Sequence, residues 1–190
     1  VLNWLEPVSQ GVMLLNIQSA PILADMAAAL ILFSLGKKKL PEKSAAAVSM
    51  LYAFNPAAIL NGAVWGQADG VLALGLLLVA LWAVERKWSR ALPVYVLCVL
   101  MKPQALMLGP LGLIALLYEV FRKEDRLPIK EWGFGLLWSL LTGIAVLAPF
   151  YVNQKITWIF ELYGKTLSSY AYTTLNATNF YYFPASYNAE

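Results

Sequence analysis

Residues 55–84 read NPAAILNGAVWGQADGVLALGLLLVALWAV, and the second half of that stretch decides the fold. From 71 to 84 no side chain is charged, and apolar residues fall on every face of a helix drawn through them. Such a helix belongs in the core of a large protein or in a bilayer. Residues 106–117 (LMLGPLGLIALL) repeat the pattern, and six such blocks crowd a chain of 190 residues. The composition is 60% hydrophobic and 13% charged, with mean hydropathy +0.62. A soluble domain carries about a quarter charged residues, so no polar shell is left to cover six apolar blocks. The fold expected is all-α, a polytopic transmembrane helical bundle of about six spans, some short or broken.

Working outward, the block at 71–84 makes a span of about 70–84. Upstream, a first span over about 19–35 ends in Gly36 and a lysine cluster, a fitting helix stop. A second, over about 44–64, holds Asn55-Pro56 in its middle. Proline removes a backbone donor and clashes one turn back, so this span kinks or breaks there. Downstream, a span over about 91–101 reaches only about 16 Å at about 1.5 Å per residue, short of the about 30 Å of hydrocarbon it would have to cross. Two more follow, over about 105–121 and 133–152. Residues 1–152 thus form a transmembrane domain, in which 1–18, with Pro7 and Gly11, lie at the outer interface. Residues 153–190 form a non-cytoplasmic, membrane-proximal segment with ten aromatics, which fit an interfacial belt or a half-buried lid. No internal repeat is visible. The chain opens at Val1 without a basic, then apolar, then small-residue leader, which reads as a piece of a longer chain or as a processed form.

The net charge of +3 is less informative than its placement. Eleven of the fourteen basic residues fall in three stretches: Lys37, Lys38, Lys39 and Lys43; Arg86, Lys87 and Arg90; Arg122, Lys123, Arg126 and Lys130. Clusters separated by two apolar blocks each follow the positive-inside pattern of cytoplasmic loops. Nucleic acid, which would need one continuous basic face, is excluded as a partner. Cys98 is the only cysteine and lies in an apolar block, and histidine is absent, so neither a disulfide framework nor a thiol or imidazole metal site is expected.

Alternation then puts 65–69, 102–104 and 153–190 on the side away from the basic loops. In lipid the informative residues are the costly ones: a mid-bilayer charge costs about 2.5–3.5 kcal/mol on insertion scales and marks cavities and pathways. Asp25 lies about two turns into the first span; it reads either as a helix-packing carboxylate bonded to a neighbouring hydroxyl or lysine, or as a cavity residue. Trp65, Gln67 and Asp69 stand where the second span re-emerges, as an interfacial loop with a Trp anchor or as a pocket rim. Lys102-Pro103-Gln104 interrupts a long apolar run. Because the span before it is short, Lys102 lies below the outer surface, snorkelling or facing a wet or protein-lined cavity. A cation held there suits an anionic partner, phosphate first.

The order LADM (23–26), NPAAILNGAVWGQADG (55–70), KPQA (102–105) and LNATNF (175–180) resembles the membrane glycosyltransferases of the GT-C superfamily. The bacterial polyprenyl-phosphate-sugar-dependent mannosyl- and glucosyltransferases are nearest in pattern; the dolichyl-phosphate-glucose-dependent enzymes are more distant. The resemblance covers roughly residues 15–183. It implies transfer of a hexose from a polyprenyl-phosphate donor to a glycan, lipid or protein acceptor, on the outer face of a bacterial inner membrane. By it, Asp25, Trp65, Gln67, Asp69, Lys102 and Gln104 line the substrate cavity, and Asn176 and Asn179 come from a segment closing over it. The family's catalytic acid sits on a first external loop that lies upstream of this chain; Glu6, in NWLEPVSQ, does not match it. Asp69 is the catalytic carboxylate the chain itself offers. No cofactor is expected. With a lipid phosphate as leaving group, a nucleotide-binding fold and a DxD metal site are unnecessary, and whether an ion takes part stays open.

Two other readings remain at this point. A transporter or flippase-like protein also has broken spans and intramembrane charges, but would show matching halves. A non-catalytic membrane scaffold would tolerate loss of Lys102 and Asp69.

Overall fold

The computed structural model describes residues 10–121, 129–152, 154, 155 and 157–168. Among these the chain is all-helical, with no strand. Helix α1 spans Gln10–Gly36, α2 Glu42–Ala53, α3 Pro56–Ile59, α4 Asp69–Val84, α5 Trp88–Met101, α6 Gly109–Phe121, α7 Ile129–Tyr151 and α8 Trp158–Ser168. A π-helical turn, Leu60–Val64, continues α3, and a 3₁₀ turn, Pro103–Leu108, leads into α6. The residues fall into two compact units divided after Gly143, a boundary inside α7.

Two stretches, Ile17–Gly36 and Ile129–Tyr151, are long and apolar enough to cross a membrane. A third is added if α2 and the Pro56–Val64 helix, bent by 41° to each other, count as one broken span. The break falls where the sequence puts it: α2 ends at Ala53, and Asn55 caps the next helix, its Oδ1 accepting from Ala57 N–H at 2.9 Å. Proline at the first helical position costs no bond, since that N–H would be unsatisfied anyway. α1 starts nine residues before the expected first span. Gly11 lies in its first turn, where a single glycine costs at most about 1 kcal/mol and need not end a helix. The other apolar helices are shorter. At about 1.5 Å per residue, α4 is about 24 Å long and α5 about 21 Å.

In the first unit, the helices meet through small residues. Ala24, Ala28, Ala29, Ala45, Ala91, Cys98 and Ala105 are buried, and among the large apolar side chains of the described residues only Leu72 and Trp88 are. Leu51, Leu111, Ile114, Phe121, Leu136 and Leu140 are exposed instead. A water-soluble core is built the other way round. Small contact residues with large apolar ones outside are the arrangement of helices packed in lipid, where the hydrophobic effect does not drive helix association.

Two antiparallel hairpins carry this packing. α1 and α2 turn at 37–41, Gly36 against Ala45 Cβ, with Ser49 Oγ donating to Ala29 O at 2.7 Å. α4 and α5 turn at 85–87, where Arg86 adopts φ 59°. Gly75 of α4 faces Cys98 of α5 so closely that an added Cβ would stand 2.5 Å from Sγ. The first turn of α7 joins the base of α5: Glu131 accepts from Ser89 Oγ at 2.6 Å and Ser89 N–H at 3.2 Å, Trp132 stacks on Trp88 at 4.4 Å, and Gly135 lies against the Trp88 carbonyl. Arg86 binds the buried Glu119 of α6 at 2.5 Å. In the second unit, Trp158 of α8 packs on Phe150 and Tyr151.

The α4–α5 contact gives the first expected outcome. Gly75→Ala forces the two helices apart and lowers stability in detergent by about 1–3 kcal/mol, the usual cost of overpacking. Adding Cys98→Ala removes the obstructing sulfur and restores most of the loss, which thermal unfolding of the single and double variants measures.

Candidate functional site

The charged residues of α4 and α5 meet at the hairpin's open end. Asp69 is the first residue of α4 and Lys102 the C-cap of α5, at nearly the same distance on either side of the 85–87 turn. Lys102 Nζ donates to Asp69 Oδ1 in an ion pair, and Asn61 Nδ2 donates to Asp69 Oδ2 at 2.9 Å. Each charge also suits its helix end: a carboxylate at an N-terminus and an ammonium at a C-terminus complement the helix dipole. The pair is half-buried, with side-chain exposure of 39% for Asp69 and 29% for Lys102.

The local backbone explains how Asn61 reaches this point. The π-helical turn Leu60–Val64 ends in Trp65, and Gly66 follows at φ 65°, a left-handed conformation that a glycine adopts without strain. There the chain passes Ile17 closely, and Gln18 Nε2 donates to Val64 O at 3.4 Å. Gln67 N–H donates to Asn61 O at 3.0 Å, closing the loop so that Asn61 and Asp69 face each other.

Asp25 arrives from α1. Its Oδ1 accepts from Tyr52 Oη at 3.0 Å, and its carboxylate sits over two glycines. An added Cβ on Gly70 would stand 2.9–3.1 Å from three atoms of that carboxyl group, and one on Gly62 would stand 3.0 Å from Oδ2. Asp25, Tyr52, Asn61, Trp65, Asp69 and Gly70 line one cleft of about 610 Å³. A second cavity, of about 410 Å³ between α4, α5, α6 and Trp132, is lined by apolar and aromatic residues without a charge.

Of the residues singled out in the sequence, the structure therefore brings Asp25, Trp65 and Asp69 onto one cleft and pairs Lys102 with Asp69. Gln67 and Gln104 are exposed and do not line the cleft; Gln67 takes part through its backbone. Asn176, Asn179 and Glu6 lie outside the described residues. Tyr52 and Asn61 were missed. Tyr52 had a signal, since it stands nearly as far after the α1–α2 turn as Asp25 stands before it, where an antiparallel hairpin brings them level. Asn61 stood inside the quoted motif as a polar residue in an apolar helix. Among the described residues no group of three or more carboxylates, cysteines or histidines could hold a metal ion. No protein-family model matches the chain, and neither a curated protein nor a solved structure matches it.

One expectation follows for the pair. Asp69→Asn and Lys102→Met each leave a polar partner unmatched at a cost of about 1–3 kcal/mol, while the double variant recovers most of the loss, a coupling read from a thermal-unfolding cycle.

Proposed function

We propose that the chain is part of a membrane glycosyltransferase that moves a hexose from a polyprenyl-phosphate donor to an acceptor hydroxyl. The observation that carries this reading is a lysine held by a carboxylate beside a cleft with a second carboxylate, amid helices otherwise apolar on all sides. An ammonium so placed suits the phosphate of a lipid whose tail stays in the bilayer, and the carboxylates suit a hydroxyl that must lose its proton. The order of LADM, WGQADG and KPQA is the second support, by its resemblance to the GT-C enzymes.

In this reading the bundle has about six spans, the short α4 and α5 included, and the cleft faces the non-cytoplasmic side of a bacterial inner membrane. The basic residues at 37–43 follow the end of α1, and those at 86–90 lie at the opposite ends of the helices that carry Asp69 and Lys102, as the positive-inside rule requires of a cytoplasmic face. Short α4 and α5 then need not cross the whole hydrocarbon layer: their polar ends stop in a protein-lined recess, the one place where charge and irregular backbone are tolerated at depth.

The reaction joins the acceptor oxygen to the anomeric carbon and breaks the bond from that carbon to the phosphate oxygen. The electron pair leaves with the phosphate, and Lys102 neutralises the charge that develops there. Membranes containing the full-length protein should transfer radiolabelled hexose from polyprenyl-phosphate mannose or glucose to endogenous acceptors. Lys102→Met should lower kcat/KM for the donor by about 10²–10³, the usual loss when a group stabilising transition-state charge is removed. Vesicle flux of the lipid-linked sugar without transfer would overturn this reading in favour of a transporter.

A further inference from the structure

We infer that the second cavity, between α4, α5 and α6, seats an anionic glycerophospholipid from the leaflet on the side of the basic loops. The cavity measures about 410 Å³, within the range of about 300–1,000 Å³ usual for ligand sites. Val79, Leu92, Leu108 and Leu111 are among its apolar walls, which suit an acyl chain. One wall position is left open by a glycine that serves no close packing. Gly112 lies inside α6, where glycine weakens a helix, yet an added Cβ there would meet nothing within 4 Å. Gly75 and Gly135 admit a neighbouring helix; Gly112 leaves a space.

One end of the cavity has the chemistry that a lipid's ester region calls for. Trp88 of α5 and Trp132 of α7 stack there at 4.4 Å, and Trp88 is only 4% exposed. The indole N–H of each is buried without an acceptor, as is the Tyr95 hydroxyl on the same wall. Buried donors of this kind are rare in folded chains and point to a missing acceptor. A turn of either indole toward the cavity sets its N–H on an ester carbonyl. Beside the tryptophans, the first turns of α5 and α7 carry Arg90 and Lys130, both exposed and in no ion pair among the described residues. Lys87, paired with Glu85, is a third cation, and Glu131 has its Oε2 taken up by Ser89. Three cations against two carboxylates leave this end positive. From the middle of the helices outward the order is apolar wall, hydrogen-bond donor, cation, which matches acyl chain, ester and phosphate. Basic pockets between membrane helices on the cytoplasmic side hold anionic head groups in the same way. A protein segment would match the apolar wall but not that order. The site is separate from Lys102, which caps the far end of α5.

The test is native mass spectrometry of the full-length protein released from nanodiscs of equal phosphatidylglycerol and phosphatidylcholine. The wild-type protein retains one phosphatidylglycerol. Gly112→Phe, whose ring enters the open space, retains none. Trp88→Phe with Trp132→Phe keeps both rings, removes both N–H groups and weakens retention about 10-fold, the loss expected from two ordinary hydrogen bonds. Arg90→Gln with Lys130→Gln abolishes the preference for phosphatidylglycerol. Thermal unfolding in phosphatidylcholine alone, unchanged among these variants, separates loss of the site from loss of the fold. Wild-type protein without bound lipid, equal retention of the two lipids, or Gly112→Phe binding as the wild type does overturns the assignment. So does a benzophenone side chain installed at position 113, on the cavity wall, that couples to protein instead of phospholipid. None of these readouts depends on sugar transfer, so failure of the glycosyltransferase reading leaves the lipid site standing, and the reverse.

Discussion

A charge on an apolar helix must find its opposite, and in this chain the pairing of Asp69 with Lys102 fixes where α4 and α5 can stop. Both helices are too short to cross a bilayer's hydrocarbon alone. Each ends in the charge that suits its dipole, and the two charges meet. Had either been alone, its desolvation would have pulled that helix end toward water. Together they stay half-buried, and the Asn61 amide takes the remaining carboxylate oxygen. The loop at 65–68, the π-helical turn before it and the crossing of α1 over Gly62 and Gly70 all converge on that point.

The contacts around the pair explain why so few large side chains are buried. Alanines and glycines let the helix backbones approach, as Gly75 does at Cys98 and Gly135 at the Trp88 carbonyl. Close approach lets side-chain polar groups bond across helices, as Ser49 does to Ala29, Tyr52 to Asp25 and Ser89 to Glu131. Leucines and phenylalanines are left facing outward, where lipid is as good a neighbour as another helix. The cleft's wall is mostly apolar, with Ala57, Ala58, Leu60, Trp65 and Ala73 surrounding the polar groups of Asp25, Tyr52, Asn61 and Asp69.

Much of this was legible in the sequence. Apolar blocks without a helical period pointed to an all-helical chain with stretches long and apolar enough to cross a membrane, and Asn55-Pro56 to the break in the second apolar stretch. WGQAD and KPQ were singled out by the resemblance, and Asp69 of the one pairs with Lys102 of the other at the hairpin's open end. Gln67 and Gln104 were named on the same grounds yet are exposed and do not line the cleft, because a motif gives position along the chain and not direction around a loop. Asn61 escaped because a π-helical turn, which no local pattern announced, rotates it onto Asp69. Tyr52 escaped because a tyrosine in an apolar run reads as packing until its neighbour across the hairpin is known. Asp25 admitted two readings in the sequence, and the hydroxyl bond to Tyr52 and the place on the cleft belong one to each.

Zero-length carbodiimide coupling in native membranes, read by mass spectrometry, addresses the contact on which the rest depends. Direct contact of the Asp69 carboxylate with the Lys102 ammonium yields an amide between these two residues, and Lys102 resists a membrane-impermeant amine reagent. Ready labelling of Lys102 by that reagent, with no amide to Asp69, would place the ammonium in bulk water and contradict the site.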